Sequence, residues 1–145
     1  GAHATTRLVL QFLLALPRGS LLDLGCGSGV VALAAAKLGF APVTAFDCDG
    51  AAVDATRENA RANAVELEAR RSDVLAAVLP AAGLAVANID LRVVSRLAAR
   101  LEVGRLVTSG YPARDRLLLP GWRHVERREL EGWAADLFTC ARPAP

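Results

Sequence analysis

Short apolar runs and longer stretches of helical spacing alternate along this chain, and the changes of rhythm fall on turn-forming residues. Leu8, Leu10, Phe12, Leu13 and Leu16 give a first helix its apolar bulk; Thr5 or Thr6 can cap its start, and Pro17-Arg18-Gly19 ends it. Leu21 to Leu24 reads as a buried strand, and Val30 to Leu38 as an Ala-rich helix with Gly39 as C-cap. Val43 to Asp47 is a second strand, followed by a helix to about Asn63 that Asp49 caps. A short strand near Leu67 to Arg70, a helix from about Asp73 to Leu79, and a strand from Leu84 to Asn88 come next. Leu91 to Leu101 is amphipathic with helical spacing, and Arg105 to Ser109 is a fifth strand. Gly110-Tyr111-Pro112 breaks that pattern, and the chain to Leu119 reads as a loose helical segment. Trp122 to Leu130 and Trp133 to Ala141 then form two strands about Glu131-Gly132. Alternation of strands and helices through position 110 predicts an α/β fold, a doubly wound and mainly parallel sheet with a C-terminal antiparallel strand pair.

A chain of 145 residues with 53% hydrophobic and 22% charged content is expected to fold as one domain spanning residues 1–145. No apolar run approaches the ~20 residues of a membrane span, and the start lacks a signal-peptide pattern. With no methionine at all, the chain has lost at least its initiator and reads as a domain cut from a longer protein. Apart from the Pro-rich end Arg142 to Pro145, no repeat or low-complexity linker appears. A net charge of +2 gives no argument for direct nucleic-acid binding. Cys26, Cys48 and Cys140 are an odd number without metal spacing, which suits free thiols in a reducing cytoplasm. His3 and His124 lie far apart, so no metal site is expected.

The chemistry concentrates at the carboxyl ends of the strands, where open parallel sheets bind ligands. Strand one runs into Asp23-Leu24-Gly25-Cys26-Gly27-Ser28-Gly29. Val30 stands where a dinucleotide fingerprint needs a third glycine, and the only lysine, Lys37, lies too deep in the helix for a phosphate loop. Strand two ends in Asp47, whose ionised carboxylate can accept from both hydroxyls of a ribose, or else cap the next helix. Asp73 follows strand three and suits either an adenine amine or a helix cap. Asn88, the first polar residue after Leu84 to Ala87, offers a neutral acceptor and a donor, or again a cap. Arg92, Arg96 and Arg100 share one helix face, best read as solvated.

The motif Asp23-x-Gly-x-Gly-x-Gly29 resembles the first motif of class I S-adenosylmethionine-dependent methyltransferases. Across nearly the whole chain the resemblance is to one family, the ribosomal protein L-eleven methyltransferases. It is carried by Gly1-Ala2-His3-Ala4-Thr5-Thr6, Leu22 to Gly39, Phe46-Asp47-Cys48-Asp49, Glu58 to Asn63, Val86-Ala87-Asn88-Ile89 and Ser109-Gly110. The resemblance implies a Rossmann-like fold, S-adenosylmethionine as cofactor, and transfer of its methyl group to an amine nitrogen of a protein, a ribosomal protein of the large subunit. It places cofactor contacts on Thr6, Gly25, Asp47 and Asn88. The expected binding set is Thr6, Asp23, Gly25, Cys26, Gly27, Asp47, Cys48, Asp73 and Asn88, with Asn88 also the catalytic candidate and no metal. Asp90 departs from the family, which has an uncharged residue there. The family also recognises its partner with a separate N-terminal domain, after which this chain begins. The alternatives are a stand-alone methyltransferase on another protein or small molecule, and a non-catalytic cofactor-binding partner module.

Overall fold

The computed structural model describes residues 2–142; Gly1 of the resemblance and Pro143 to Pro145 of the Pro-rich end lie outside them. The elements are α1 (Ala2–Ala15), β1 (Leu21–Leu24), α2 (Val30–Lys37), β2 (Val43–Asp47), α3 (Gly50–Ala62) and β3 (Glu68–Arg71). They continue with β4 (Ala82–Asn88), α4 (Leu91–Ala98), β5 (Val103–Pro112), β6 (Trp122–Leu130) and β7 (Trp133–Cys140). One seven-stranded sheet has the order β3-β2-β1-β4-β5-β7-β6. The first five strands pair in parallel and β7 runs antiparallel between β5 and β6. This is the expected doubly wound sheet with its antiparallel pair. The order reverses between β1 and β4, which opens a crevice at their carboxyl ends.

Two apolar layers hold the sheet. Leu21, Val43, Val86 and Val107 face α1, α2 and α3 through Leu8, Phe12, Ala32, Ala35 and Val53. Leu22, Leu24, Ala87 and Leu106 face the other side, against Val94, Leu97 and Leu101. Because β1 and β4 are covered on both faces, their burial does not alternate and their residues are apolar apart from Asp23 and the strand-end Asn88.

Three expectations change. Helix α1 begins at Ala2, so Thr5 and Thr6 lie inside its first turns and do not cap it. Neither segment 73–79 nor 113–119 is helical. In the first, Ala76 and Ala77 both donate to the Asp73 carbonyl in a single turn that ends before Pro80, a residue that disfavours helix before it. In the second, β5 continues through Tyr111 and Pro112 past a bulge, and Pro120 closes the stretch that follows. The apolar residues of both segments, Val74, Leu75, Leu79, Leu117 and Leu119, still cover the second face. Their burial was legible, their conformation was not. The β6–β7 turn has positive φ at Glu131 (53°) and Gly132 (80°), the mirror-image form that matches strand twist.

One buried polar network was not expected. Asp136 of β7 is 2% exposed and accepts from Tyr111 (2.5 Å) and from Arg127 Nε (3.0 Å), with His124 Nε2 at 2.7 Å. Burial alone raises its pKa; the hydrogen bonds from Arg127, Tyr111 and His124 outweigh this and hold the carboxyl below its ordinary range. Arg127 thus points inward, although Arg123 and Glu126 of the same strand are exposed. A depressed pKa means stability present at neutral pH and lost as pH falls through that pKa. Asp136→Asn should therefore cost about 3 kcal/mol near neutrality, and its gap to the parent should narrow in acid. Denaturant unfolding over a pH series checks this; a gap independent of pH contradicts it.

Candidate functional site

The turn after β1 is built on its own backbone. Gly25 and Cys26 N–H both donate to the Phe46 carbonyl (2.8 and 2.9 Å), and Gly29 N–H donates to the Cys26 carbonyl at 2.9 Å. Gly27 N–H donates to Asp47 Oδ2 at 3.0 Å, while Asp47 Oδ1 accepts from Asp49 N–H at 2.9 Å. Helix α3 clamps the turn from outside: Thr56 Oγ1 donates to the Gly27 carbonyl (3.0 Å) and Asn59 Nδ2 to the Ser28 carbonyl (2.9 Å). Gly25 has φ +84°, and a Cβ there would sit 2.7 Å from Ile89 Cγ2. Only glycine fits between β1 and the residue after Asn88.

Two cavities meet at this turn. One, of about 400 Å³, is lined by Gly25, Gly27, Asp47, Cys48, Asp73 and Asn88 together with apolar Val74, Leu75, Ile89 and Val93. The other, of about 530 Å³, is lined by Thr6, Asp23, Gly25, Cys26, Gly27 and Asn88, with His3 and Arg7 of α1. Every expected binding residue therefore faces one cavity or the other, and Gly25, Gly27 and Asn88 face both. Asp47 does not cap α3; Asp49 does, accepting from Ala51 N–H. Asp73 lines the first cavity and its Oδ1 accepts from Leu75 N–H; with 73–79 folded as a single turn, it closes that turn and caps no helix. Asn88 is exposed at the strand end, and a Cβ on Gly110 would run into its Oδ1. Gly110, φ +98° at the β5 bulge, lets the two strand ends close on each other.

The electrostatics single out Asp23. It is 2% exposed, and its Oδ2 has no hydrogen-bond partner. Burial, with the nearby charge of Asp47 adding to it, pushes its pKa from 3.8 to about 7, although the Ala32 backbone N–H opposes the shift. Burial likewise raises the Cys26 thiol, which sits 3.4 Å from Thr56 Oγ1. Asp90 caps α4 by accepting from Arg92 N–H, and the Arg92 guanidinium holds its carboxyl below the ordinary range. Arg100 is not simply solvated: it donates to the Val74 and Ala77 carbonyls.

Sequence reasoning missed Thr56, Asn59, Ile89 and Arg7. Asn59 stood inside a stretch quoted for the resemblance, without a physical reason. Its amide on Ser28 and that of Asn63 on the Asn59 carbonyl now supply one. Thr56 carried a signal in the sequence, since it shares helical spacing with Val53 and Ala60, the apolar residues of the face that α3 buries.

A family model described as ribosomal protein L11 methyltransferase (PrmA) matches residues 1–136. A ribosomal protein L11 methyltransferase of Symbiobacterium thermophilum is 40% identical over 94% of this chain and 49% of its own length. That of Thermotoga neapolitana is 34% identical over 92% of this chain and 55% of its own. The chain thus spans about half the length of the curated relatives it matches. Among solved structures, a ribosomal protein L11 methylase of Lactobacillus delbrueckii subsp. bulgaricus superposes with TM-score 0.82 at 23% identity, covering 95% of this chain and 79% of that one. An RNA methyltransferase of Salinibacter ruber in complex with S-adenosyl-L-homocysteine gives 0.77 at 22% identity, covering 97% and 92%. At such identities these two show the fold.

Asp23 predicts a pH signature of the ligand-free chain. Its folded pKa lies above its unfolded one, so its contribution is full below about 4 and lost as pH rises to about 7. Asp23→Asn should match the parent in acid and exceed its stability at pH 8 by on the order of 2–4 kcal/mol. Unfolding midpoints at the two pH values check this; an Asn variant less stable than the parent at pH 8 contradicts it.

Proposed function

The chain belongs to the ribosomal protein L11 methyltransferase family, and on that premise we propose that it is a cytoplasmic methyltransferase domain, residues 1–145, that moves a methyl group from S-adenosylmethionine to an amine nitrogen of a protein, ribosomal protein L11 being the favoured substrate. The observation that carries the cofactor reading is Asp23 Oδ2, a buried acceptor without a partner on the wall of the second cavity. A ligand ammonium satisfies that oxygen and lets the carboxyl ionise. The rest of the site fits the same molecule. Each Asp47 oxygen accepts one backbone N–H and keeps a lone pair for a ribose hydroxyl. Val74, Leu75, Ile89 and Val93 offer apolar contacts to a flat base, with the Asp73 carboxylate beside them. No helix among the described residues is long and apolar enough to cross a membrane, and the three cysteines are free, as a reducing compartment keeps them.

When bound, S-adenosylmethionine supplies a methyl group on a sulfonium, already activated for transfer. The chain's share is to orient and desolvate the acceptor. Asn88, where the two cavities meet, presents a neutral carbonyl oxygen that can accept from an amine N–H. Neutrality matters, because a carboxylate in that place stabilises the ammonium, which is not nucleophilic. Asp90, the nearest carboxylate along the chain, is a poor base: Arg92 and the α4 backbone N–H hold the carboxylate and lower its affinity for a proton.

Calorimetry should show binding of S-adenosylhomocysteine and none of a nicotinamide dinucleotide; the reverse result rejects the cofactor. Asp47→Ala should weaken that binding by ~30-fold or more, from the loss of charge-assisted hydrogen bonds. It also frees the N–H groups of Gly27 and Asp49, so the unfolding midpoint should fall as well. A lowered midpoint with intact affinity contradicts the ribose role. Transfer of labelled methyl to recombinant ribosomal protein L11 tests the substrate, and label on other proteins alone rejects it.

A further inference from the structure

An α-amino acid carries two charges, and Asp23 answers one of them. The usual receiver of a carboxylate at such a turn is its backbone N–H groups, but here those of Gly25, Cys26, Gly27 and Gly29 are engaged within the fold. Of the five residues of the turn, Ser28 alone keeps an unengaged N–H by these bonds. The Ala32 N–H of α2 already bears on Asp23. Arg7 of α1 is a cation that lines the same cavity as Asp23. Helix α1 is fixed to the core through Ala4, Leu8, Val9, Phe12 and Leu13, all at most 1% exposed. That docking leaves His3, Thr6 and Arg7, spaced i, i+3 and i+4, lining the cavity that holds Asp23. Arg7 makes no hydrogen bond or ion pair with any described residue, and neither Asp23 nor Arg7 neutralises the other.

We infer that Arg7, assisted by the Thr6 hydroxyl, receives the carboxylate of the ligand's amino-acid end, so that α1 and β1 together clamp a zwitterion. This rests on the S-adenosylmethionine reading above, and it extends that reading to a residue outside the glycine turn. A guanidinium offers paired donors that match a carboxylate, which an ammonium does not. Since Arg7 is exposed, its pull on the ligand is screened by salt.

Three ligands separate the possibilities: S-adenosylhomocysteine, its decarboxylated analogue that keeps the amine, and 5′-methylthioadenosine, which lacks the amino-acid end. Titrated into the parent and into Arg7→Gln at low salt, S-adenosylhomocysteine should lose about tenfold in affinity. The other two should change by less than about twofold, Arg7→Lys should recover part of the loss, and added salt should shrink it. Equal affinity of Arg7→Gln and parent for S-adenosylhomocysteine overturns the inference and leaves the cofactor reading standing. An equal loss for all three ligands overturns it too, since Arg7 then acts only on the fold. A parent chain that binds none of the three overturns both the inference and the reading it rests on.

Discussion

A single carboxylate joins the parts of this molecule that matter for ligand binding. Asp47 Oδ2 takes the Gly27 N–H of the β1–α2 turn while Oδ1 takes the Asp49 N–H where α3 begins. The Phe46 carbonyl, one residue earlier, takes two more amides of the same turn. Carboxylates hold backbone N–H groups roughly twice as strongly as neutral acceptors do. The turn is thus held by the end of β2, its outer edge is held by Thr56 and Asn59 of α3, and its spacing from β4 is set by the missing Cβ of Gly25. Two cavities result on either side of one braced backbone. A turn whose amides are engaged within the fold is a poor cradle for phosphate.

The same fold treats its buried polar groups in two ways. Around Asp136, the carboxylate has Arg127, Tyr111 and His124, and Tyr111 has Thr108. That network ties the antiparallel strands together. At the crevice end of the sheet, Asp23 Oδ2 and Ser109 Oγ are buried without partners. Both lie on the face covered by α1 and α2, two residues beyond core members Leu21 and Val107; Asp23 is level with Val86 of β4 and Ser109 with Asn88. Unsatisfied buried polar atoms each cost free energy. Asp23 lines a cavity, where a ligand can answer that cost, whereas the network around Asp136 leaves no such atom.

Much of the fold was legible because buried parallel strands have continuous apolar sequences with polar ends, as Leu84 to Asn88 does. The residues that end those strands line the two cavities, as the carboxyl ends of parallel strands dictate. Helices over the second face were misread at 73–79 and 113–119: the apolar residues there do bury, but Pro80 and Pro120 impose irregular backbone that periodicity cannot see. Long-range pairings escaped altogether. That Arg127 turns inward to a charge nine residues later, or that Thr56 reaches a carbonyl across the sheet edge, follows from tertiary approach. Asp136 alone left a trace, as the one charge in an apolar strand. Arg7 left none, since an exposed arginine on a helix means solvent until the cavity it lines is known.

Amide hydrogen exchange on the ligand-free chain tests this account most directly. If Asp47 and Phe46 preset the turn, the Gly25, Cys26, Gly27 and Gly29 amides should already exchange slowly without ligand, and S-adenosylhomocysteine should change their protection little. Fast exchange at all four in the free chain, with protection appearing only on binding, would contradict it: the turn would then be made by the ligand rather than by the fold.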